Sequence, residues 1–372
     1  MYSHPSRGNA LCDVSKVKNG PFSLFLKTVI MLWITGIMEV LCNEAKNNNA
    51  LSFRDLDTLN FTCSIDNNCI ETRREGTDHL NQYNCICDRN CALYDSCCLD
   101  SEYRHETKVT KPKVQVKCLS TYGPTTRDVL MIDSCEKPGI INDLCTSNGE
   151  DWSDLFLLIP VTSKVSNITY KNYYCAVCNE NPNVGQLTFW AVKIDGQFDL
   201  PEDPPVPSLM FHRGMKSWIL KEDRNMDKPR NVSVSIEPLE RPEVKYCRKN
   251  VVSKCASDWT DIDVEDKCYA YASIFSVIHK DGTNTRYKNP HCAVCNHEVI
   301  INFKCRELLY FRVHFFSRKV RRFVIENKDK QCRRKGVYDI FSKKCRCSSS
   351  KFLSKCMKRR KNCVLGLGKY QK

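Results

Sequence analysis

Apolar residues along this chain come in short runs broken by charged and turn-forming residues, and few runs hold one period for long. Val232-Ser-Val-Ser-Ile236 alternates apolar and polar positions, the period of a strand with one buried face. Gly185 to Ile194 alternates in part and predicts a second strand, and Val299-Ile-Ile-Asn-Phe303 a third. Leu155-Phe-Leu-Leu-Ile-Pro-Val161 is the longest apolar run beyond residue 42. It suits a core element and falls well short of the roughly 20 residues that a membrane helix needs. Cys268 to Ile278 reads equally as helix or buried strand. Asp199-Leu-Pro-Glu-Asp-Pro-Pro-Val-Pro207 opposes regular structure, although Phe211, Met215, Trp218 and Ile219 after it have the character to pack. The pattern predicts short strands, short helices and loops.

The N-terminus carries a different pattern. Lys16, Lys18 and Lys27 precede the apolar stretch Thr28 to Met38, with a small-residue region at Val40-Leu-Cys42. That order reads as a signal peptide over residues 1–42; the competing reading is a retained signal anchor over Phe22 to Leu41, against which Lys27 and Glu39 count. Export makes three Asn-x-Ser/Thr sequons meaningful as glycosylation sites: Asn60, Asn167 and Asn231.

Composition agrees with export. The chain has 25 cysteines in 372 residues, a usage that belongs to oxidising compartments. Eight of them, Cys63, Cys69, Cys85, Cys87, Cys91, Cys97, Cys98 and Cys118, fall within 56 residues. Such density implies covalent stapling into a knot spanning residues 59–118. Beyond it, one motif occurs twice. Tyr170-Lys-Asn-Tyr-Tyr-Cys175-Ala-Val-Cys178-Asn179 returns 117 residues later as Tyr287-Lys-Asn-Pro-His-Cys292-Ala-Val-Cys295-Asn296. Upstream, Cys145 to Trp152 matches Cys255 to Trp259, and Cys135 stands to the first copy as Cys247 does to the second. Cys268 and Cys305 complete the second set. We read two copies of one module, at 119–198 and 243–310, joined by a Pro-rich connecting segment at 199–242. Cys-x-x-Cys is also a zinc or redox spacing. The first copy lacks histidines matching His291 and His297, and export favours structural disulfides. Downstream of Cys42 the cysteines number 23, which leaves one thiol without a partner in the chain.

The run Cys85-Ile-Cys87-Asp88-x-x-Cys91, closed by Cys97-Cys98, resembles the somatomedin B domain. The fold class expected is small and disulfide-rich: a somatomedin-B-like knot followed by two related cysteine-bearing modules of mixed short β strands, short helices and loops. The resemblance implies the pairings Cys63–Cys87, Cys69–Cys118, Cys85–Cys98 and Cys91–Cys97. The interval from Cys98 to Cys118 exceeds the family's spacing, so Cys118 has the alternative of joining the next module. The resemblance also implies that the turn carrying Leu93, Tyr94 and Asp95 binds protein partners, although Leu93 replaces an aromatic of the inhibitor-binding member. Asp88 reads as a turn cap. Over residues 60–347, with Val337-Tyr-Asp-Ile-Phe-Ser-Lys-Lys-Cys345-Arg346 as its third part, the order of elements resembles the ectodomain of invertebrate secretin/adhesion-like G-protein-coupled receptors. The chain reaches Lys372 without the seven membrane helices of that family, which leaves a secreted relative or an incomplete chain.

Charge is segregated. Residues 311–372 hold 21 Lys+Arg against 3 Asp+Glu, a net +18, whereas the whole chain is +14 and the remainder therefore −4. This basic tail suits a heparan-type glycan or an anionic membrane surface, and export argues against nucleic acid. Arg321-Arg322 and Lys358-Arg359-Arg360 also read as processing sites. No Gly-x-Ser-x-Gly, His-Glu-x-x-His or phosphate loop occurs, and no cofactor is expected. The expectation is a non-enzymatic extracellular binding protein with an unidentified protein ligand.

Overall fold

The computed structural model describes residues 51–61, 63, 68–69, 84–106, 112–124, 127–180, 184–195, 206, 209–220, 231–239, 244–305, 320–325, 332 and 336–347. The apolar N-terminal stretch, the Pro-rich run up to Pro205 and residues 348–372 lie outside these. Among the described residues, no helix is long and apolar enough to cross a membrane. The chain divides into two units, Met1–Leu59 and Asn60–Lys372. In the first, the described structure is helix α1 (Phe53–Asp57), where Asp55 accepts a hydrogen bond from the Ser52 N–H at 2.8 Å.

The second unit opens with the knot. Two 3-10 turns, Arg89–Ala92 and Glu102–His105, are held by Cys69–Cys87, Cys85–Cys98 and Cys91–Cys97. Asp88 caps the first turn, accepting from Asn90 N at 2.9 Å. The hairpin β1 (Lys117–Ser120) with β2 (Asp128–Met131) follows.

The first module runs through α2 (Ile140–Thr146), β3 (Val161–Ser163), β4 (Thr169–Tyr170), α3 (Tyr173–Asn179) and β5 (Leu187–Phe189). Then come β6 (Ala191–Asp195), β7 (Leu209–His212), β8 (Ser217–Leu220) and β9 (Asn231–Glu237). The second module is β10 (Val251–Val252), α4 (Ile262–Ala270), β11 (Phe275–Ile278), β12 (Asn284–Tyr287), α5 (Pro290–Val294) and β13 (Phe303–Lys304). The chain continues to β14 (Val320–Phe323) and the hairpin β15 (Gly336–Asp339) with β16 (Lys344–Cys347).

The duplication is structural. The two modules build sheets of the same order, β4-β3-β5 and β12-β11-β13, with antiparallel neighbours. Each adds a parallel pairing on the same strand, Ile132 to Tyr170 in one and Val252 to Tyr287 in the other. The cysteine register differs from the sequence match. The first motif cysteine joins the preceding helix, as Cys145–Cys175 and Cys268–Cys292. The second joins the chain before that helix, as Cys135–Cys178 and Cys255–Cys295. Cys145 therefore corresponds to Cys268, and Cys135 to Cys255. The misalignment arises because Cys145 lies 16 residues before β3 but Cys268 only seven before β11. The first module inserts a buried 3-10 turn, Leu155–Leu158, in that interval.

Four expectations change. Gly185 to Ile194 is two strands rather than one: the chain passes from the sheet of β3 to that of β9 at buried Trp190, whose N–H donates to Pro160 O. Val299 to Asn302 is an exposed turn, with only Phe303–Lys304 in a strand, and Ile301 is 82% exposed. Cys268 to Ile278 is both alternatives, helix to Ala270 and strand from Phe275. The segment 199–242 is more than a connector, since β7, β8 and β9 come from it and form most of the five-stranded sheet β14-β6-β9-β8-β7. That sheet packs Val192, Ile194, Phe211, Trp218, Val232, Val234 and Ile236 into the same core as the first module.

Part of the basic segment also joins the body. β14 pairs antiparallel with β6, which places Arg321 and Arg322 inside a strand rather than at an open processing site. The knot is likewise joined to the body. Cys63 pairs with Cys305 and Cys118 with Cys247, in place of the Cys63–Cys87 and Cys69–Cys118 bridges that the resemblance implied. Ala272 N donates to Cys97 O at 2.7 Å and Ile274 N to Asn84 O at 3.0 Å, stitching the knot to the second module. Phe61 packs edge-on to Phe275, with ring centroids 4.9 Å apart. Peptide mapping of the unreduced secreted protein is expected to recover Cys63–Cys305 and Cys118–Cys247. Recovery of Cys63–Cys87 would contradict the arrangement.

Candidate binding site

Much of the chemistry that the sequence brings together is spent on holding the fold. In both modules the motif asparagine caps a helix and clamps the preceding chain. Asn172 Oδ1 accepts from Tyr174 N and Cys175 N, while its Nδ2 donates to the carbonyls of Leu144, Cys145 and Leu157 at 3.1 Å each. Asn289 repeats this: it accepts from Cys292 N and donates to Lys267 O, Cys268 O and Tyr271 O. An Asn carries both an acceptor and two donors, so one side chain can cap a helix start while satisfying carbonyls opposite. The final asparagine does similar work, Asn179 bonding Ser134 O and Cys175 O, and Asn296 bonding Lys254 O and Cys292 O. Tyr170 OH donates to Glu180 and Tyr287 OH to Glu298.

The two histidines flanking the second motif have other partners. His291 Nδ1 lies 2.9 Å from Tyr271 OH, and His297 Nε2 lies 3.2 Å from Asp258. Sulfur triplets such as Cys135, Cys145 and Cys178 lie within 4.8 Å of one another, but each belongs to adjoining disulfides, whose sulfurs are not thiolate ligands.

The knot turn is partly enclosed. Leu93 packs against the main core, and Tyr94 is partly buried, which pushes its hydroxyl pKa up. Asp95 is exposed, in the left-handed region at φ 51°. Lys245, buried, forms an ion pair with the capping residue Asp88 and so pins the turn from outside the knot. Of the three binding residues that the resemblance implies, Asp95 is the one most open to solvent. The sequon residues Asn60, Asn167 and Asn231 are all exposed.

A cleft of about 640 Å³ lies elsewhere, over β9. β8 pairs with β9 at Trp218–Val232, and further along the same strand Ile236 N donates to Tyr122 O. The cleft is walled by the start of β8 on one side and the loop Tyr122–Pro124 on the other, with Asn231 to Val234 beneath. Gly123 has φ +124°, and a Cβ there would meet the Ser235 Cα at 2.6 Å, so the loop approaches the strand as only glycine allows. Inside, Trp218 Nε1 donates to Tyr122 OH at 2.9 Å and Tyr122 OH donates to Glu150 at 2.6 Å. Burial, reinforced by that carboxylate, raises the Tyr122 hydroxyl pKa and keeps it protonated. Asp195 and Lys216 complete the polar wall. Asp195 Oδ1 is buried and has no hydrogen-bond partner among the described residues. Sequence reasoning missed this grouping: Tyr122 and Asp195 belong to no motif, Glu150 lies in the Cys145–Trp152 stretch with no role assigned, and the three line one cleft only in the folded chain.

It also missed a buried ionic cluster. Arg346, on β16, forms two 2.8 Å bonds to Asp154, one to each carboxylate oxygen, and pairs with Asp339 at 2.5 Å. Its guanidinium lies 4.9 Å from the Phe156 ring centroid. Burial works against the Arg346 charge, but Asp154 and Asp339 outweigh it and raise its pKa. Burial also pushes the Asp154 carboxyl up, against the pull of Arg346. With every oxygen engaged, this cluster anchors the β15–β16 hairpin to the first module.

The model of one protein family, described as a family of unknown function (DUF8401), matches residues 130–345. That stretch contains both modules, the five-stranded sheet and most of the last hairpin. No curated protein and no solved structure matches the chain.

Proposed function

The chain belongs to that family of unknown function, whose model covers more than half of it, and we propose that it is an exported, non-enzymatic recognition protein that engages polyanions on or near cell surfaces. The observation that carries this reading is the covalent framework. Ten disulfides join described cysteines, two of them over separations of 242 and 129 residues. Bonds of that kind persist where the surroundings are oxidising. They restrict the unfolded ensemble and hold surface side chains ready for a partner, so less order has to be created on binding. Net charge of +18 over residues 311–372 supports a polyanionic partner of the heparan type. Arg346 is not available for that role, being buried with two carboxylates, whereas Arg322, Lys343 and Lys344 are exposed.

Because β14 and the β15–β16 hairpin belong to the body, charge neutralisation tests the idea better than deletion. Residues 351–372 carry eight Lys+Arg and no acidic residue. Replacing those eight by glutamine is expected to lower the salt concentration that elutes the secreted protein from heparin. Elution at unchanged salt would sink the polyanion reading. The receptor-ectodomain reading rests on the order of elements over residues 60–347; seven apolar segments encoded past Lys372 would establish it.

A further inference from the structure

We infer that the cleft over β9 is a saccharide site whose occupant is the N-linked glycan of this chain's own Asn231. The inference rests on the exported reading above, since glycosylation requires entry to the secretory pathway. Asn231-Val232-Ser233 is a sequon, and Asn231 is itself part of the cleft wall. It begins β9 on the polar face: the strand alternates, with Val232, Val234 and Ile236 buried and Asn231 exposed. Its Oδ1 accepts from Ser217 Oγ at 3.3 Å, which holds the side chain beside the opening instead of away from it.

The chemistry of the walls suits a sugar. An N-acetylhexosamine presents hydroxyl and amide donors together with carbonyl and hydroxyl acceptors. Asp195 Oδ1 is a buried acceptor with no donor among the described residues, and a buried acceptor in that condition is costly until one arrives. Lys216 adds an ammonium donor and Glu150 a carboxylate. The volume, about 640 Å³, lies within the range of roughly 300–1,000 Å³ usual for small-molecule sites. A sugar tethered to the wall has a high effective concentration at the cleft, so a free saccharide competes poorly with it. Asn60, also an exposed sequon asparagine, does not line that cleft and serves as the internal comparison.

The test uses the full secreted chain from animal cells. Site occupancy is measured by mass spectrometry, and release of each glycan by a peptide:N-glycosidase is followed under native conditions. We expect Asn231 to be occupied and its glycan to be released at least about tenfold more slowly than that of Asn60, because the sugar must leave the cleft first. Denaturation should abolish the difference. Asp195→Ala should speed native release at Asn231 and leave Asn60 unchanged. Equal native rates at the two sites overturn the inference, as does an empty Asn231 beside an occupied Asn60. If every sequon of the recovered protein is empty, the exported reading fails and the inference with it.

Discussion

Replacing Arg346 with methionine lowers stability by about 3–5 kcal/mol, the loss expected when one member of a buried ionic group is removed. Two carboxylates would be left behind, both at buried positions, with Asp339 and Arg346 almost wholly removed from solvent. The new side chain keeps most of the volume, so the loss reports charge rather than a cavity. Chemical denaturation of the secreted protein checks it. Lys343→Ala and Lys344→Ala, on the same hairpin but exposed, are expected to stay within about 0.5 kcal/mol. A triple variant, Arg346→Met with Asp154→Asn and Asp339→Asn, should recover part of the loss, because no charge then remains unpaired. An Arg346→Met protein as stable as the parent would show that the hairpin is held by its apolar contacts alone.

Asn172→Asp and Asn289→Asp are expected to cost about 2–4 kcal/mol each, although the side chains are nearly the same shape. Each parent amide donates to three backbone carbonyls. An aspartate keeps the cap acceptor but cannot donate, and it brings a negative charge against those carbonyl oxygens at a site with no solvent exposure. A buried polar group left unmatched costs on the order of 1–3 kcal/mol, and the added charge increases this. The two substitutions should cost alike, since the modules hold their asparagines alike. A large loss at one site with none at the other would mean that the shared motif is shared in sequence only.

The elements most legible beforehand were those whose cause is local. The alternation of Val232 to Ile236 became a strand with three buried and intervening polar positions. Asp88 was recognisable as a cap because a cap bonds within three residues of itself. The repeated motif was visible because its asparagines and cysteines lie within or at the ends of one short helix in each copy. Where two alignments of the repeats competed, local resemblance misled. Trp152 and Trp259 look equivalent in sequence, yet Trp152 follows its module's helix α2 and Trp259 precedes α4. Val299 to Phe303 failed differently, since an apolar triplet implies a strand only if a neighbour covers it.

By itself, the sequence determined the disulfide-rich class, the duplication and the Asp88 cap, all properties of residue type, count and spacing. Only the tertiary structure decided which cysteines meet. The knot's eight cysteines alone allow on the order of 100 pairings, and two of them, Cys63 and Cys118, pair outside that set, with Cys305 and Cys247. It alone also joined Arg346 to Asp154, 192 residues apart, and set Tyr122, Asp195 and Trp218 around one cleft with a sequon on its wall. The reason is the range of the forces involved. Backbone geometry and capping act within a turn, whereas a sulfur, a guanidinium or a cleft needs partners brought close by the packing of the whole core.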